Sequence, residues 1–335
     1  MRQVTYVEAL NQGLAQALEA DERVILIGQG VTSPWYVGSS TRGLFDRFGP
    51  NRVVDTPVSE SAVTGAAVGA ALAGMRPIVV HPRMDFMFCA CDAIINHAAN
   101  WQYMFGGHSH VPIVFWGIIN RGGAQGAQHS QAIHGLFAHV PGLKVALPST
   151  PYDAKGLLLA AIEDEDPVVF VDDRWLYHET GIVPEARYQV PLGTAAIRRN
   201  GTDITIAATS WMTLQCLRAA DLLAAHGVDA EVVDLRCLKP LDTPGVLQSV
   251  SNTGRFLIVD GGWRSYGASA ELCALVSERM FASLKCAPMR IALPDLPAPA
   301  ARSLEQTYYP DAECIVTAVQ QMLTMSRPAT QEEII

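Results

Sequence analysis

Glu60, Phe86 and His129 are the side chains whose types and settings suggest chemistry. Glu60 stands at the mouth of Asp55 to Gly74, DTPVSESAVTGAAVGAALAG, a stretch otherwise made almost entirely of Ala, Val, Gly and Leu. Small residues at 65, 66, 67, 69, 70 and 71 let neighbouring backbone come close, so the segment reads as a tightly packed, buried helix. Ser59 is placed to cap it, which puts Glu60 in the first turn, where the helix dipole favours negative charge. A carboxylate aimed into an apolar surround keeps its proton more readily unless something pairs with it, which makes Glu60 a candidate proton-transfer group. The plainer reading is an acidic residue that serves the helix dipole alone.

The second centre is the glycine-rich RGGAQGAQ, Arg121 to Gln128, which delivers His129 with Ser130 and Gln131 behind it. An imidazole on a flexible loop at the carboxyl end of a strand suits acid–base work, although a solvent-facing loop histidine would look the same. Phe86 falls where a strand hands over to a helix, the end of a parallel sheet that faces ligands; ordinary core packing would also place it there. Arg121 is suited to a substrate carboxylate or phosphate, or to a surface salt bridge. His134 and His139 read as helix-face or loop-packing residues, and Cys89 and Cys91 as core thiols.

These residues need a scaffold, and the chain alternates short β-branched runs with small-residue helices. Residues 24–30, 52–58, 77–82, 111–117, 143–149 and 168–173 read as buried parallel strands, with helices over 8–20 and 91–103. That alternation predicts an α/β, doubly wound parallel sheet with right-handed crossovers. The pattern lapses into polar loop over 176–191, so the first domain is expected over 1–185. A smaller α/β domain is expected over 192–325, with strands at 203–209, 230–236 and 255–262 and helices at 214–225 and 268–277; 326–335 reads as a tail.

The 335 residues suffice for two ordinary cores, and 49% hydrophobic with 17% charged residues excludes a disordered chain. A net charge of -9 argues against nucleic acid, whose phosphates need a basic footprint. No apolar run approaches the roughly 20 residues of a membrane span. The first residues show no basic-then-apolar leader pattern, and seven cysteines without a CxxC pair fit reduced thiols, so a cytoplasmic location is expected.

Read in order, VTYVEALNQGL, DTPVSE, HSQ, PGLKV, DAKGL, LKPLD, VDGGW and YYP span nearly the whole chain. This series resembles the β subunit of the E1 component of 2-oxo acid dehydrogenase complexes, pyruvate dehydrogenase E1 β in particular, within the transketolase-like thiamine-diphosphate enzymes. The resemblance implies a pyrimidine-binding first domain, a transketolase C-terminal second domain and an α2β2 heterotetramer with active sites at α/β interfaces. It also implies an oxidoreductase that decarboxylates a 2-oxo acid and passes the acyl group to a lipoyl acceptor on an E2 partner.

Carried over residue by residue, Glu60 matches the glutamate that hydrogen-bonds N1' of the aminopyrimidine. That contact promotes the imino tautomer whose 4'-nitrogen removes the thiazolium C2 proton. Phe86 matches the aromatic that packs on the ring, and Val58 an apolar residue lining the same pocket. His129 matches the HSQ histidine assigned to proton transfer on the substrate side, and Gln131, with Arg121, is a candidate substrate contact. A potassium site is implied at the carbonyls of Ile113 and Ala161 with Asp164, and Asp166 stands where asparagine is usual, in IEDEDP. Such a hard-cation, oxygen-ligand site would not suit zinc.

The chain departs from the family in informative ways. It contains no GDG-then-Asn motif for Mg2+ and diphosphate, so an α-type partner is expected to supply that half-site. Gln29 replaces a commonly acidic residue, and Ala132 and His134 replace Ser and Glu after the HSQ. An unusual 2-oxo acid fits these changes. The alternative is the C-terminal half of a split transketolase or acyloin-forming synthase, passing its unit to an aldehyde or ketone. A non-catalytic homologue is the third reading, against which the joint presence of Glu60, Phe86 and His129 speaks.

Overall fold

The computed structural model describes residues 1–325; the expected tail, 326–335, lies outside the described residues. The chain divides into two compact units. The first holds Met1–Thr194 together with Arg236–Pro240 and Pro297–Glu305, and the second holds Ala195–Leu235, Leu241–Leu296 and the described residues from Gln306 onward.

In the first unit β1 (Arg2–Thr5) precedes β2 (Val24–Gly28), β3 (Val53–Asp55), β4 (Arg76–His81), β5 (Val114–Ile119), β6 (Lys144–Ala146), β7 (Val168–Asp173) and β8 (Thr180–Val183). In the second, β9 (Ala196–Arg199), β10 (Ile204–Ala208) and β11 (Ala230–Asp234) come first. After β12 (Cys237–Lys239), which returns to the first unit, follow β13 (Phe256–Trp263) and β14 (Met289–Leu293).

The large sheet runs β12-β6-β7-β5-β4-β2-β3, parallel throughout except for β12 against β6. Every residue of β4, β5 and β7 is buried, as continuous apolar runs covered on both faces must be. Beside it β1 and β8 form a two-stranded antiparallel ribbon, a pairing that precedes the helix Tyr6–Ala20 and is not visible as alternation in four residues. The second unit has a sheet of order β14-β13-β10-β11-β9, parallel except for β9 on the edge.

The Glu60 segment is a helix, Glu60–Leu72, but it is not buried all round. Thr64, Ala67, Val68 and Ala71 face the core, whereas Ser61, Ala62, Gly65, Ala66 and Gly69 are exposed. A 3.6-residue period turns only one stripe of any helix toward a single layer, and among the described residues no second layer covers the other. Ser59 occupies the N-cap position without making the side-chain cap bond.

Two motifs prove to be structural. In DAKGL the Lys155 ammonium donates to the carbonyls of Pro184, Glu185 and Ala186 at 2.7, 3.3 and 3.2 Å, and Asp153 pairs with Arg236 at 2.7 Å. In LKPLD, Lys239 donates to the carbonyls of Ala138 and Val140 at 3.2 and 2.9 Å, at the C-terminus of the helix His134–His139, where the dipole favours a cation.

Candidate active site

From β2 the chain leaves toward β3, and from β4 it leaves toward β5 on the other side. Neighbouring strands whose connections part in this way leave a crevice at their carboxyl ends, where open parallel sheets bind ligands. The crevice is present as an open cleft. Gly28 and Gln29 line it from the end of β2 and Val79 to Pro82 from β4; the helix contributes Glu60, Val63 and Thr64, and Phe86 closes one side. Gly28 is required here, because a Cβ would lie 2.6 Å from the carbonyl oxygen of Val80.

Glu60 begins its helix at the cleft, half-buried. Below it His81, the last residue of β4, is buried, with Nε2 3.5 Å from the Thr64 hydroxyl oxygen. Burial pushes its imidazole down from the ordinary 6.5 to about 4, so it is uncharged at neutral pH. Sequence reading missed His81, because a histidine ending an apolar run carries no spacing signal. Gln29 donates to the Tyr36 hydroxyl at 2.6 Å, and Arg174 donates to the Tyr36 carbonyl at 2.7 Å.

After β4 the chain does not go straight into the single helix expected over 91–103. It makes a 3-10 turn, Met84–Ala90, a π-helical stretch, Asp92–Ala98, and a short α-helix, Ala99–Met104. Gly117 of β5 makes room for the turn, since a Cβ there would meet the Met87 sulfur at 2.6 Å. The turn brings Phe86 to His129, their rings 5.4 Å apart and at 84°, an edge-to-face pair.

The glycine-rich loop is held by buried carboxylates from separate elements. Arg121 donates through Nε to Asp173 at 2.7 Å, with side-chain exposures of 3% and 0%. Ala124, at φ 59° in the left-handed region that favours glycine, donates its N–H to Glu305 Oε2 at 3.1 Å. Gln131 donates its N–H to Asp85 Oδ1 at 3.0 Å. Glu305 and Asp85 are only 6% and 4% exposed. Neither was legible beforehand, Glu305 because it lies 181 residues from Ala124 along the chain.

Other expectations are corrected. Arg121 is committed to a buried ion pair and is neither a free substrate clamp nor a surface bridge. Val58 is 67% exposed and does not line the cleft, whereas Pro57 and Ser59 on either side of it do. The residues marked for potassium also differ from expectation. Lys144 places its ammonium 2.7 Å from both Asp164 carboxylate oxygens and 3.6 Å from Asp166 Oδ2, and His110 Nδ1 lies 3.1 Å from Asp166 Oδ1. The carbonyl of Asp164 accepts from Arg76, and that of Ile113 from the Val168 N–H; Ala161 is buried in its helix. The Lys144 ammonium therefore already pairs with Asp164 and approaches Asp166. Among the described residues no group of three or more His, Cys, Asp or Glu could hold a metal ion.

The family described as transketolase, pyrimidine binding domain, matches residues 2–179, and the transketolase C-terminal domain matches residues 193–315. The chain belongs to the transketolase family. Within that family it is 41% identical over 332 residues to the β subunit of acetoin:2,6-dichlorophenolindophenol oxidoreductase of Cupriavidus necator, covering 96% of this chain and 98% of that one. It is 42% identical over 321 residues to the mitochondrial pyruvate dehydrogenase E1 component subunit beta-2 of Oryza sativa subsp. japonica, covering 95% and 85%. It is 40% identical over 328 residues to the corresponding Bos taurus β subunit, covering 96% and 91%. A solved structure titled "Split gene transketolase, inactive beta4 tetramer" superposes with a TM-score of 0.79 over 97% of this chain and 99% of that one; at 22% identity it shares the fold. No helix among the described residues is long and apolar enough to cross a membrane.

Proposed function

We propose that this chain is the β subunit of a thiamine-diphosphate-dependent E1-type enzyme that decarboxylates a 2-oxo acid and passes the acyl group to a lipoyl acceptor. The observation that carries this reading is the cleft beyond β2 and β4, with Glu60 at a helix start and the Phe86–His129 pair beside it. The apolar Val63 and Val79 with the uncharged His81 suit an aromatic ring.

When bound, thiamine diphosphate supplies an acidic thiazolium carbon and an electron sink for cleaving a bond beside a carbonyl. In this reading Glu60 would hold and share a proton at the aminopyrimidine nitrogen N1' and Phe86 would cover the ring, while Val58 takes no part. His129 moves a proton on the substrate side, held in place by its loop. Gln131 lends its backbone N–H to the loop and has no assigned contact with substrate. Arg121 and the potassium site are not carried forward.

The diphosphate and Mg2+ belong, on this reading, to an α-type subunit in an α2β2 assembly. The exposed small-residue face of the Glu60 helix supports it. Phe88, Tyr103, Met104 and Phe105 are also exposed, and exposed apolar side chains that gather in patches mark interaction surfaces. The acetoin relative favours one second reading, cleavage of an acyloin with the same cofactor.

The test is turnover by the chain combined with the α-type subunit of its genomic neighbourhood, following reduction of dichlorophenolindophenol with a panel of 2-oxo acids and with acetoin. Turnover that needs both subunits, thiamine diphosphate and a 2-oxo acid supports the E1 reading. Turnover with acetoin alone moves the assignment to the acyloin. Cofactor-independent turnover, or none, contradicts both.

A further inference from the structure

Asp85 is a buried carboxylate that the reading above does not use. It precedes Phe86 in the 3-10 turn, and the two residues grip the same loop. Phe86 meets the His129 ring at 5.4 Å, while Asp85 Oδ1 accepts the Gln131 N–H at 3.0 Å, two residues farther on. Its other oxygen, Oδ2, is buried without a hydrogen-bond partner. Burial pushes the carboxyl up, opposed by the N–H groups of Gln131 and of Asp85 itself, by the Gln131 side chain and by the nearby His129. Leaving a polar oxygen in the interior is costly, so its presence needs a reason that packing alone does not give.

We propose that Asp85 is a positioning residue for His129, fixing the His129–Gln131 segment through the Gln131 N–H so that the imidazole meets Phe86 at the cleft. The loop before His129 turns through Gly122, Gly123 and Gly126, all at positive φ, and is held upstream at Arg121 and Ala124. The Asp85 contact anchors it on the far side of the histidine. A hydrogen bond to a carboxylate is short and directional, whereas the ring contact alone permits sliding. The role of His129 in this argument rests on the E1 reading; the grip on the loop does not.

The experiment uses the assembled complex carrying Asp85→Ala, Asp85→Asn, His129→Ala or the Asp85→Ala/His129→Ala pair. Amide hydrogen exchange of the 129–133 peptide, which needs no substrate, is expected to be at least about tenfold faster in Asp85→Ala and little changed in Asp85→Asn, which keeps an acceptor oxygen. Turnover is expected to fall about 100-fold in Asp85→Ala with KM within about threefold, and to be largely recovered in Asp85→Asn. In the His129→Ala background, Asp85→Ala should cost less than about twofold more, because a residue acting through His129 has nothing left to position. If Asp85→Ala fails to assemble, Gln131→Pro removes the same hydrogen bond from the donor side and should give the same exchange and turnover pattern.

Unchanged exchange in the chosen variant overturns the anchor. Additive losses in the double variant, or equal losses in Asp85→Asn and Asp85→Ala, overturn the route through His129. If the unmodified complex shows no thiamine-diphosphate-dependent turnover, the E1 reading fails, while the exchange result still decides whether Asp85 holds the segment.

Discussion

The Phe86 and His129 rings meet edge to face, 5.4 Å between centroids and 84° between planes, although 43 positions separate them in the chain. One arises from the turn after β4 and the other from the loop after β5, two adjacent parallel strands. The pair therefore links the side of the cleft to the imidazole, and loosening either ring should be felt at the other. Phe86→Ala is expected to weaken thiamine-diphosphate binding to the assembled complex about tenfold, as loss of an aromatic contact does, and to lower turnover by more than binding alone explains. Calorimetry and steady-state kinetics on the same preparation check this; affinity and turnover both within about twofold of the parent would contradict it.

Glu60→Gln keeps the shape of the side chain and its place at the helix start but cannot exchange a proton. Exchange of the thiazolium C2 proton, followed by NMR in the complex, is expected to slow by about 100-fold or more, with the thermal midpoint unchanged. Retained exchange would remove Glu60 from cofactor activation.

His81 gives a pH dependence with a definite sign. Its folded value, about 4, lies below the ordinary 6.5, so the folded chain binds fewer protons than the unfolded chain between those values. The contribution is fully present above about pH 6.5 and is lost as pH falls toward 4. Between pH 6.5 and pH 5 this amounts to about 2 kcal/mol. Thermal melts of the parent and of His81→Asn across that range should converge as pH falls, the variant losing less. Parallel curves would show that His81 does not titrate on unfolding.

Arg121 offers a test of structure against substrate recognition. Removing one partner of a buried ion pair strands the other, so Arg121→Ala is expected to cost about 3–5 kcal/mol of stability, measured by denaturant unfolding. A variant of parental stability with a raised KM would instead restore the substrate role.

Much of this was legible in the sequence, and the reasons for the rest are physical. The strands of both sheets' interiors carry continuous apolar runs, so β2, β7, β10 and β11 lie within the stretches read for them, while β4 begins one residue earlier, β5 ends two residues later and β13 ends one residue later than read. The short edge elements β1, β8, β9, β12 and β14 have too few residues to show a period. Glu60, Phe86 and His129 converge because residue type and strand-end position marked each one. The carboxylates of Asp85 and Glu305 act across long sequence separations through backbone N–H groups, which any residue supplies, so no pattern announces them. The Glu60 helix was read as wholly buried from small residues, yet small residues equally suit a face left open in one chain.

The central claim is half a cofactor site in this chain, completed by another. Titration calorimetry with thiamine diphosphate and Mg2+ tests it directly, first with the chain alone and then with the α-type subunit added. Tight binding only in the mixture is the predicted result. Tight binding by the chain alone, or no binding in either case, would contradict it.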